Sequence, residues 1–265
     1  MVLLADLHAC NPWMGKARIE LLVEQANALE PDLVLLLGDY ATGMPYLMTS
    51  SVPDQQWANI LAGLKAPLGR FAVLGNHDWW EDREAQRRAS GPVSGQLALQ
   101  EVGISVLENH AVRITKAKKP FWVAGLGDQQ ALLGPRRFLR AGRSGVDDLA
   151  ATLNTVGDDA PVILMAHEPD IFPEVLKVAR RVPLTVSGHT HGGQVRLFGY
   201  SPVVPSRFGN RYAYGHIVEK AHNGDDAHLV VSGGLGCSIA PIRFGVPPEI
   251  VVLELSALRS GISDP

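Results

Sequence analysis

The sequence has 265 residues, 46% of them apolar, enough to fill one sizeable hydrophobic core. Charged residues make up 19% and aromatics 6%, which excludes the composition of a disordered chain. Lys and Arg total 24 against 27 Asp and Glu, and the net charge of −3 speaks against a dedicated nucleic-acid surface, which needs a basic excess. No apolar run approaches the roughly 18 residues of a membrane-spanning helix. The longest runs, Leu33 to Leu37 among them, have the length of a strand.

Val2 to Ala5 reads as a short strand that stops at Asp6. No basic stretch followed by an apolar one and a small-residue cleavage site precedes it, so the expected location is cytoplasmic. Lys16 to Leu29 carries apolar residues at 19, 22, 23, 26 and 29, a helical period. Leu33 to Leu37 is a buried-strand run ending at Gly38-Asp39. Gln55 to Leu64 reads as a helix, and Phe71 to Leu74 as a strand ending at Gly75-Asn76-His77-Asp78. This strand–helix–strand rhythm favours a parallel core sheet. Ser94 to Glu101 is a predicted helix, followed by short strands at Ser105 to Leu107, Ala111 to Ile114 and Phe121 to Ala124.

Gly134 to Gly145, rich in Arg and punctuated by Gly, is expected to be a loop, and Val146 to Val156 a helix. Val162 to Met165 is a strand ending at His167, and Leu184 to Val186 one ending at Gly188-His189-Thr190-His191. Residues 192–216 show little periodicity, and a loop that long in a compact domain is usually functional. Leu229 to Ser232 and Ile250 to Leu255 are the last strands, and 259–265 are expected to fray. Without a repeat, a low-complexity tract or a linker, residues 1–265 are expected to form a single domain. Cys10 and Cys237 make neither a disulfide framework nor a CxxC metal motif, and reduced thiols are expected.

Five of these strands end in residues able to ligate a metal: Asp6-Leu7-His8, Asp39, Asn76-His77-Asp78, His167 and His189-Thr190-His191. In open α/β sheets, sites form beyond the carboxyl ends of the strands, so the five clusters should converge on one rim. Of nine histidines, five lie at these strand ends. Imidazole, carboxylate and an Asn carbonyl without thiolate suit Mn²⁺, Fe or Zn²⁺ rather than a structural Cys-zinc site. Two Asp, one Asn and four His are more ligands than one ion takes, so two divalent ions are expected. A shared carboxylate would set them about 3.5–4 Å apart, the spacing of two-metal phosphoryl-transfer sites.

The motifs DLH, GDY, GNHD, a lone His and GHTH, in this order over residues 6–191, resemble the calcineurin-like metallophosphoesterases. The continuation GHTHGGQVRL and SGGLGCSIAPIRFGVPPEIVVL is similar to the bacterial branch of small phosphodiesterases typified by YaeI and YkuE. The resemblance implies a four-layer α-β-β-α sandwich of two mixed sheets flanked by helices. It implies that Asp6, His8 and His191 hold a first ion, that Asp39 bridges both, and that Asn76, His167 and His189 complete the second. His77 would face the substrate as proton donor to the leaving oxygen or as a stabiliser of transition-state charge, with Asp78 orienting it from behind. Two cations lower the pKa of a water between them, so hydroxide is available for in-line attack on phosphorus near neutral pH.

The expected activity is thus metal-dependent phosphodiester hydrolysis on a small-molecule or lipid-linked substrate, with Mn²⁺ as first choice of metal and without nucleic acid as partner. Members of this branch often carry an N-terminal membrane anchor, and Met44, Tyr46, Leu47 and Met48 could form a lipid-contacting lip or pack beneath their loop. A pyrophosphatase or phosphodiesterase acting on a lipid-linked nucleotide is one alternative. A metal-binding scaffold without turnover is another. His110, His216, His222 and His228 lack motif context and are assigned to surface or packing. Trp79 and Trp80 could wall the site or pack in the core. Of the basic residues, one among Arg196, Arg207 and Arg211 in the long loop is expected to touch substrate. Arg136, Arg137, Arg140 and Arg143 make a second basic segment.

Overall fold

The computed structural model describes residues 1–41, 44, 49–137, 140–178 and 180–256, without the side chains of 135–137, 140 and 141. Two mixed sheets form its centre. In the first, the parallel strands Val2–Leu4, Val34–Leu36, Arg70–Ala72 and Ser105–Val106 lie side by side in that order, and Val251–Val252 pairs antiparallel with Val2–Leu4 at one edge. In the second, Lys119–Gly125, Val162–Met165, Leu184–Ser187 and Asp226–Val231 run parallel, flanked by the antiparallel strands His110–Lys116 and Gly215–Lys220.

Strand alternation sorts the apolar residues into layers. Leu3, Leu35, Phe71 and Val73 of the first sheet pack against Val123, Ile163, Met165 and Val186 of the second, which puts the central core between the sheets. The other face of the first sheet, with Leu4, Leu36 and Ala72, is covered by helices Lys16–Ala28, Asp54–Leu61 and Ser94–Glu101 through Ile19, Val23, Trp57 and Leu99. The other face of the second sheet, with Ala124, Val162, Leu164 and Leu229, is covered by Leu153 and Phe172 of helices Leu149–Asn154 and Phe172–Val175. This is the expected helix–sheet–sheet–helix order. Strands buried on both faces must be continuous apolar runs, which is why these were readable from sequence. Each fully buried Leu or Ile contributes about 1.5–3 kcal/mol.

Three expectations need correction. The segment expected as a loop from Gly134 to Gly145 is mostly a hairpin, Leu132–Arg137 with Arg140–Ser144, in which Gly134 faces Gly142. The long loop ends early because Gly215–Lys220 is an edge strand whose residues alternate between half-buried and exposed. Short helices at Asn76–Trp80 and Arg83–Arg88 fill a stretch without a predicted element. Cys10 and Cys237 are not bridged. Among the described residues no helix is long and apolar enough to cross a membrane. Tyr46, Leu47, Met48 and the expected frayed end at 259–265 lie outside the described residues, while Met44 is buried.

Candidate metal centre

The carboxyl ends of the parallel strands of both sheets meet at one rim. Asp6, His8 and Asp39 leave the first sheet there, and His167, His189 and His191 leave the second. Turning out of a strand within two residues needs unusual backbone: Asp6, His8, Asp39, His189 and His191 have φ of 54°, 48°, 57°, 67° and 51°. Left-handed conformations are uncommon for residues other than Gly, and their clustering marks a place where local strain is held by its surroundings. Gly38, at φ 94°, lies so close to the second sheet that a Cβ there would stand 2.8 Å from His167 Nδ1. A Cβ on Gly75 would collide with Asp39. Both positions require glycine.

The side chains form two groups, Asp6, His8 and His191, and Asp39, His167 and His189, each with ligand atoms within 4.8 Å of one another. Asp39 lies between them, its Oδ2 standing 3.6 Å from His8 Nε2 and 3.2 Å from His167 Nε2. His8 Nε2 and His191 Nε2 are 3.0 Å apart. His8 Nδ1 lies 3.0 Å from the carbonyl oxygen of Ala41 and His167 Nδ1 2.7 Å from that of Leu37, so each ring donates backward and turns Nε2 to the centre. His189 is turned the other way: its Nε2 donates to Pro205 O at 2.9 Å and leaves Nδ1 buried and unpartnered.

Asp6 Oδ2 and Asn76 Oδ1 are likewise buried without a hydrogen-bond partner. Orphaned acceptors in such number are costly unless a cation answers them, and oxygen and imidazole donors fit a divalent transition metal.

Electrostatics point the same way. Burial pushes His8 and His189 down to about 3 and His191 well below its usual range, so all three are neutral and offer lone pairs. Burial also pushes Asp6 up to about 7. For His167 and Asp39, mutual attraction overrides burial: Asp39 holds His167 well above the ordinary imidazole value, and His167 holds Asp39 well below the ordinary carboxylate value.

A protonated His167 must lose that proton to ligate, so metal binding should release at least about one proton per chain near pH 7, and apparent affinity should rise with pH through neutrality. Titration calorimetry in buffers of different ionisation enthalpy measures the release. A proton count of zero would contradict the placement of His167.

Asp78 does not orient His77. Its carboxylate accepts the backbone N–H groups of Asp39 (2.9 Å), Tyr40 (2.8 Å), Ala41 (3.0 Å) and Gly75 (2.8 Å), which locks the GDY loop to the GNHD turn. Neighbours in sequence on a helix do not share a face, so Asp78 points inward while His77 does not. The His77 backbone N–H donates to Asp39 Oδ1 at 2.8 Å. Its ring is edge-on to His8 at 5.0 Å and tilted against Trp80 at 5.1 Å, with Nδ1 unpartnered. Trp79 is fully buried core, whereas Trp80 is half-buried and donates through Nε1 to Gln130 O at 2.8 Å.

The arginines expected near substrate are engaged elsewhere. Arg207 pairs with Asp170, Arg211 with Glu219, and Arg196 lies over Tyr214. Two others reach the centre instead. Arg143 lies 4.5 Å from the Trp80 ring and donates to Gln130 Oε1, and Gln130 Nε2 is 3.3 Å from His189 Nε2. Arg243 donates to the carbonyls of Gly233 and Gly236 and lies 3.2 Å from His191 Nδ1. Nothing in the spacing of Gln130, Arg143 or Arg243 announced this. Arg143 alone had a signal, the basic segment to which it belongs. Arg136, Arg137 and Arg140 have side chains outside the described set. His216 and His228 form an exposed cross-strand pair, away from the rim, with Nε2 and Nδ1 2.8 Å apart.

The model of the calcineurin-like phosphoesterase family matches residues 1–193. The chain belongs to that family. Metal-dependent hydrolysis of phosphoesters, typically with two divalent ions, is the chemistry of the calcineurin-like phosphoesterases, and this chain carries two Asp–His groups able to hold a metal ion.

Among relatives of this chain, a Caenorhabditis elegans protein named as a metallophosphoesterase is 32% identical over 97% of this chain and 48% of its own length. Phosphodiesterase YaeI of Escherichia coli is 29% identical over 96% of this chain and 81% of its own. The solved NAD nucleotidase of Haemophilus influenzae superposes with a TM-score of 0.53 at 17% identity, covering 88% of this chain and 50% of that one, and so shares the fold. The chain spans about half the length of the longer relatives it matches.

Proposed function

We propose that this chain is a phosphodiesterase with a dinuclear metal centre. Asp6, His8 and His191 hold one ion, Asn76, His167 and His189 the other, and Asp39 serves both. The observation that carries this reading is Asp39 Oδ2 lying within 3.6 Å of a histidine from each group, amid buried acceptors that lack partners. Each group draws residues from both sheets, which supports treating residues 1–265 as one domain.

When bound, two divalent cations supply hydroxide near neutral pH and neutralise charge on the phosphoryl oxygens. The protein's own groups do the rest. His77, presented by the N-terminal turn of its helix, gives a proton or a hydrogen bond to the leaving oxygen. Asp78 acts on the chemistry indirectly, by fixing the turns that carry Asp39 and His77. Arg143, stacked on Trp80 at the rim, is placed to receive an anionic part of the substrate beyond the scissile phosphate. The preference for diesters is supported by the likeness to phosphodiesterase YaeI.

The test is elemental analysis of the purified chain after Mn²⁺ reconstitution, together with hydrolysis of bis(p-nitrophenyl) phosphate and p-nitrophenyl phosphate. About two ions per chain and faster diester turnover are expected. Retention of fewer than about two ions overturns the dinuclear reading, and faster monoester turnover overturns the diester preference.

A further inference from the structure

The rim of the metal centre continues into an apolar projection that the hydrolytic reading does not use. After His191 the chain runs through Gln194–Leu197, reverses at Phe198-Gly199, and returns at Tyr200. The reversal is closed by Leu197 N–H to Tyr200 O at 2.8 Å and Tyr200 N–H to Leu197 O at 2.9 Å. Both residues of the turn have positive φ, 49° for Phe198 and 82° for Gly199. Such turns select Asn-Gly or Gly-Gly, so a bulky aromatic at the first position is strained. Phe198 gains nothing in return from the fold, because its side chain is fully exposed, at 108%.

A second segment lies against this turn. Val195 bridges Phe244, Arg196 N–H donates to Phe244 O at 2.7 Å, and the Gln194 side chain donates to the carbonyls of Ala240 and Ile242. Together the two segments expose Val203 at 74%, Ile239 at 67%, Tyr200 at 62%, and Ile242 and Phe244 at 60% each. The surface is built rather than loose: Ser201 Oγ donates to Gly192 O at 2.6 Å and Asn210 Oδ1 accepts the Ser201 N–H at 2.8 Å.

Charge is distributed to match. The chain is acidic overall at −3, yet residues 192–218 and 235–248 contain four arginines, Arg196, Arg207, Arg211 and Arg243, and no Asp or Glu. Asp170 and Glu219 answer Arg207 and Arg211. Arg196, at the base of the turn, is half-buried over the Tyr214 ring, with its Nη1 enclosed and lacking a hydrogen-bond partner.

We propose that this projection docks on the surface of an anionic lipid bilayer. Phe198 and its aliphatic neighbours enter the interface, the half-buried Arg196 lies at their base, and the metal centre is held beside the membrane. Aromatic and aliphatic side chains on a rigid, protruding turn, with an arginine at its base and no Asp or Glu within residues 192–218, suit the boundary between headgroups and acyl chains. A protein partner with a matching pocket would offer no reason for the missing acids. The turn, Leu197 to Tyr200, begins six residues after His191, so docking brings a lipid-linked phosphoester toward the centre. The docking itself does not depend on the hydrolytic reading.

The experiment is co-sedimentation of the chain with vesicles of phosphatidylcholine alone and with about one-third phosphatidylglycerol, at low and high salt. The wild type should partition onto the anionic vesicles, less so at high salt. The double variant F198S/I239S should lower the partition coefficient at least about tenfold, with unchanged melting temperature and metal content. Phe198→Trp should show blue-shifted emission only when vesicles are present.

Absence of wild-type partitioning overturns the proposal, as does partitioning that the double variant leaves intact. A wild-type dimer in solution that the variant dissociates, with neither form on vesicles, would assign the projection to self-association instead. None of these readouts uses turnover, so a failed phosphodiesterase assay and a failed docking experiment remain distinct.

Discussion

Asp39→Asn should strip the chain of bound metal and of hydrolysis together. The substitution is nearly isosteric, and the amide can still accept the His77 N–H through Oδ1. What it removes is the negative charge and one oxygen lone-pair set at the point shared by both groups, where Oδ2 faces His8 and His167. Without that charge the attraction for cations on either side is weakened, and an amide NH₂ turned toward His8 would occupy the space a metal needs. Loss of a supporting residue alone costs about 10–100-fold in affinity or activity, so a ligand common to two ions should cost more. Elemental analysis should find fewer than about one ion per chain, with diester hydrolysis falling in step. Retention of both ions with activity gone would mean that Asp39 acts on the chemistry and not on the metal.

Much of this centre was legible because its residues stand at the ends of apolar runs. Val162–Met165 and Ser94–Glu101 have the bounds their patterns predict, since each is set by burial of a whole strand or of one helix face. Once those strands lie parallel, the residues after them must share a rim, and Asp6, Asp39, His167, His189 and His191 follow without further information.

What escaped depends on geometry that sequence distance conceals. Gly215–Lys220 lies at a sheet edge with every second residue exposed, so it lacks the apolar run that marks an inner strand. Asn223-Gly224 in the connection to the next strand was the available hairpin signal. The hairpin at 132–144 is hidden by glycines and arginines, which carry little strand preference. Asp78, which the resemblance puts behind His77, has its carboxylate on backbone N–H groups of residues 39–41 and 75, a three-dimensional arrangement that no local pattern encodes. Gln130 and Arg243 reach His189 and His191 across 59 and 52 residues, and no local pattern encodes such contacts.

His77→Ala separates the roles within the GNHD turn. The residue before it, Asn76, is a proposed ligand with a buried, unpartnered Oδ1, and the residue after it, Asp78, locks the turn through four backbone N–H groups. The His77 side chain takes part in neither task. Its backbone N–H, which supports Asp39, survives truncation to Ala. Both ions should therefore remain, while kcat falls by about 10²–10⁴, the scale of a lost general acid, and KM changes little.

The leaving group decides how His77 acts. If it delivers a proton, the deficit should be larger for an alkyl leaving group, which must be protonated, than for p-nitrophenolate, which need not be. An equal deficit for both would assign His77 to stabilisation of charge on the phosphoryl oxygens. Loss of about one ion equivalent in His77→Ala would instead make it a ligand, and the division of the turn into ligand, acid and lock would have to be redrawn.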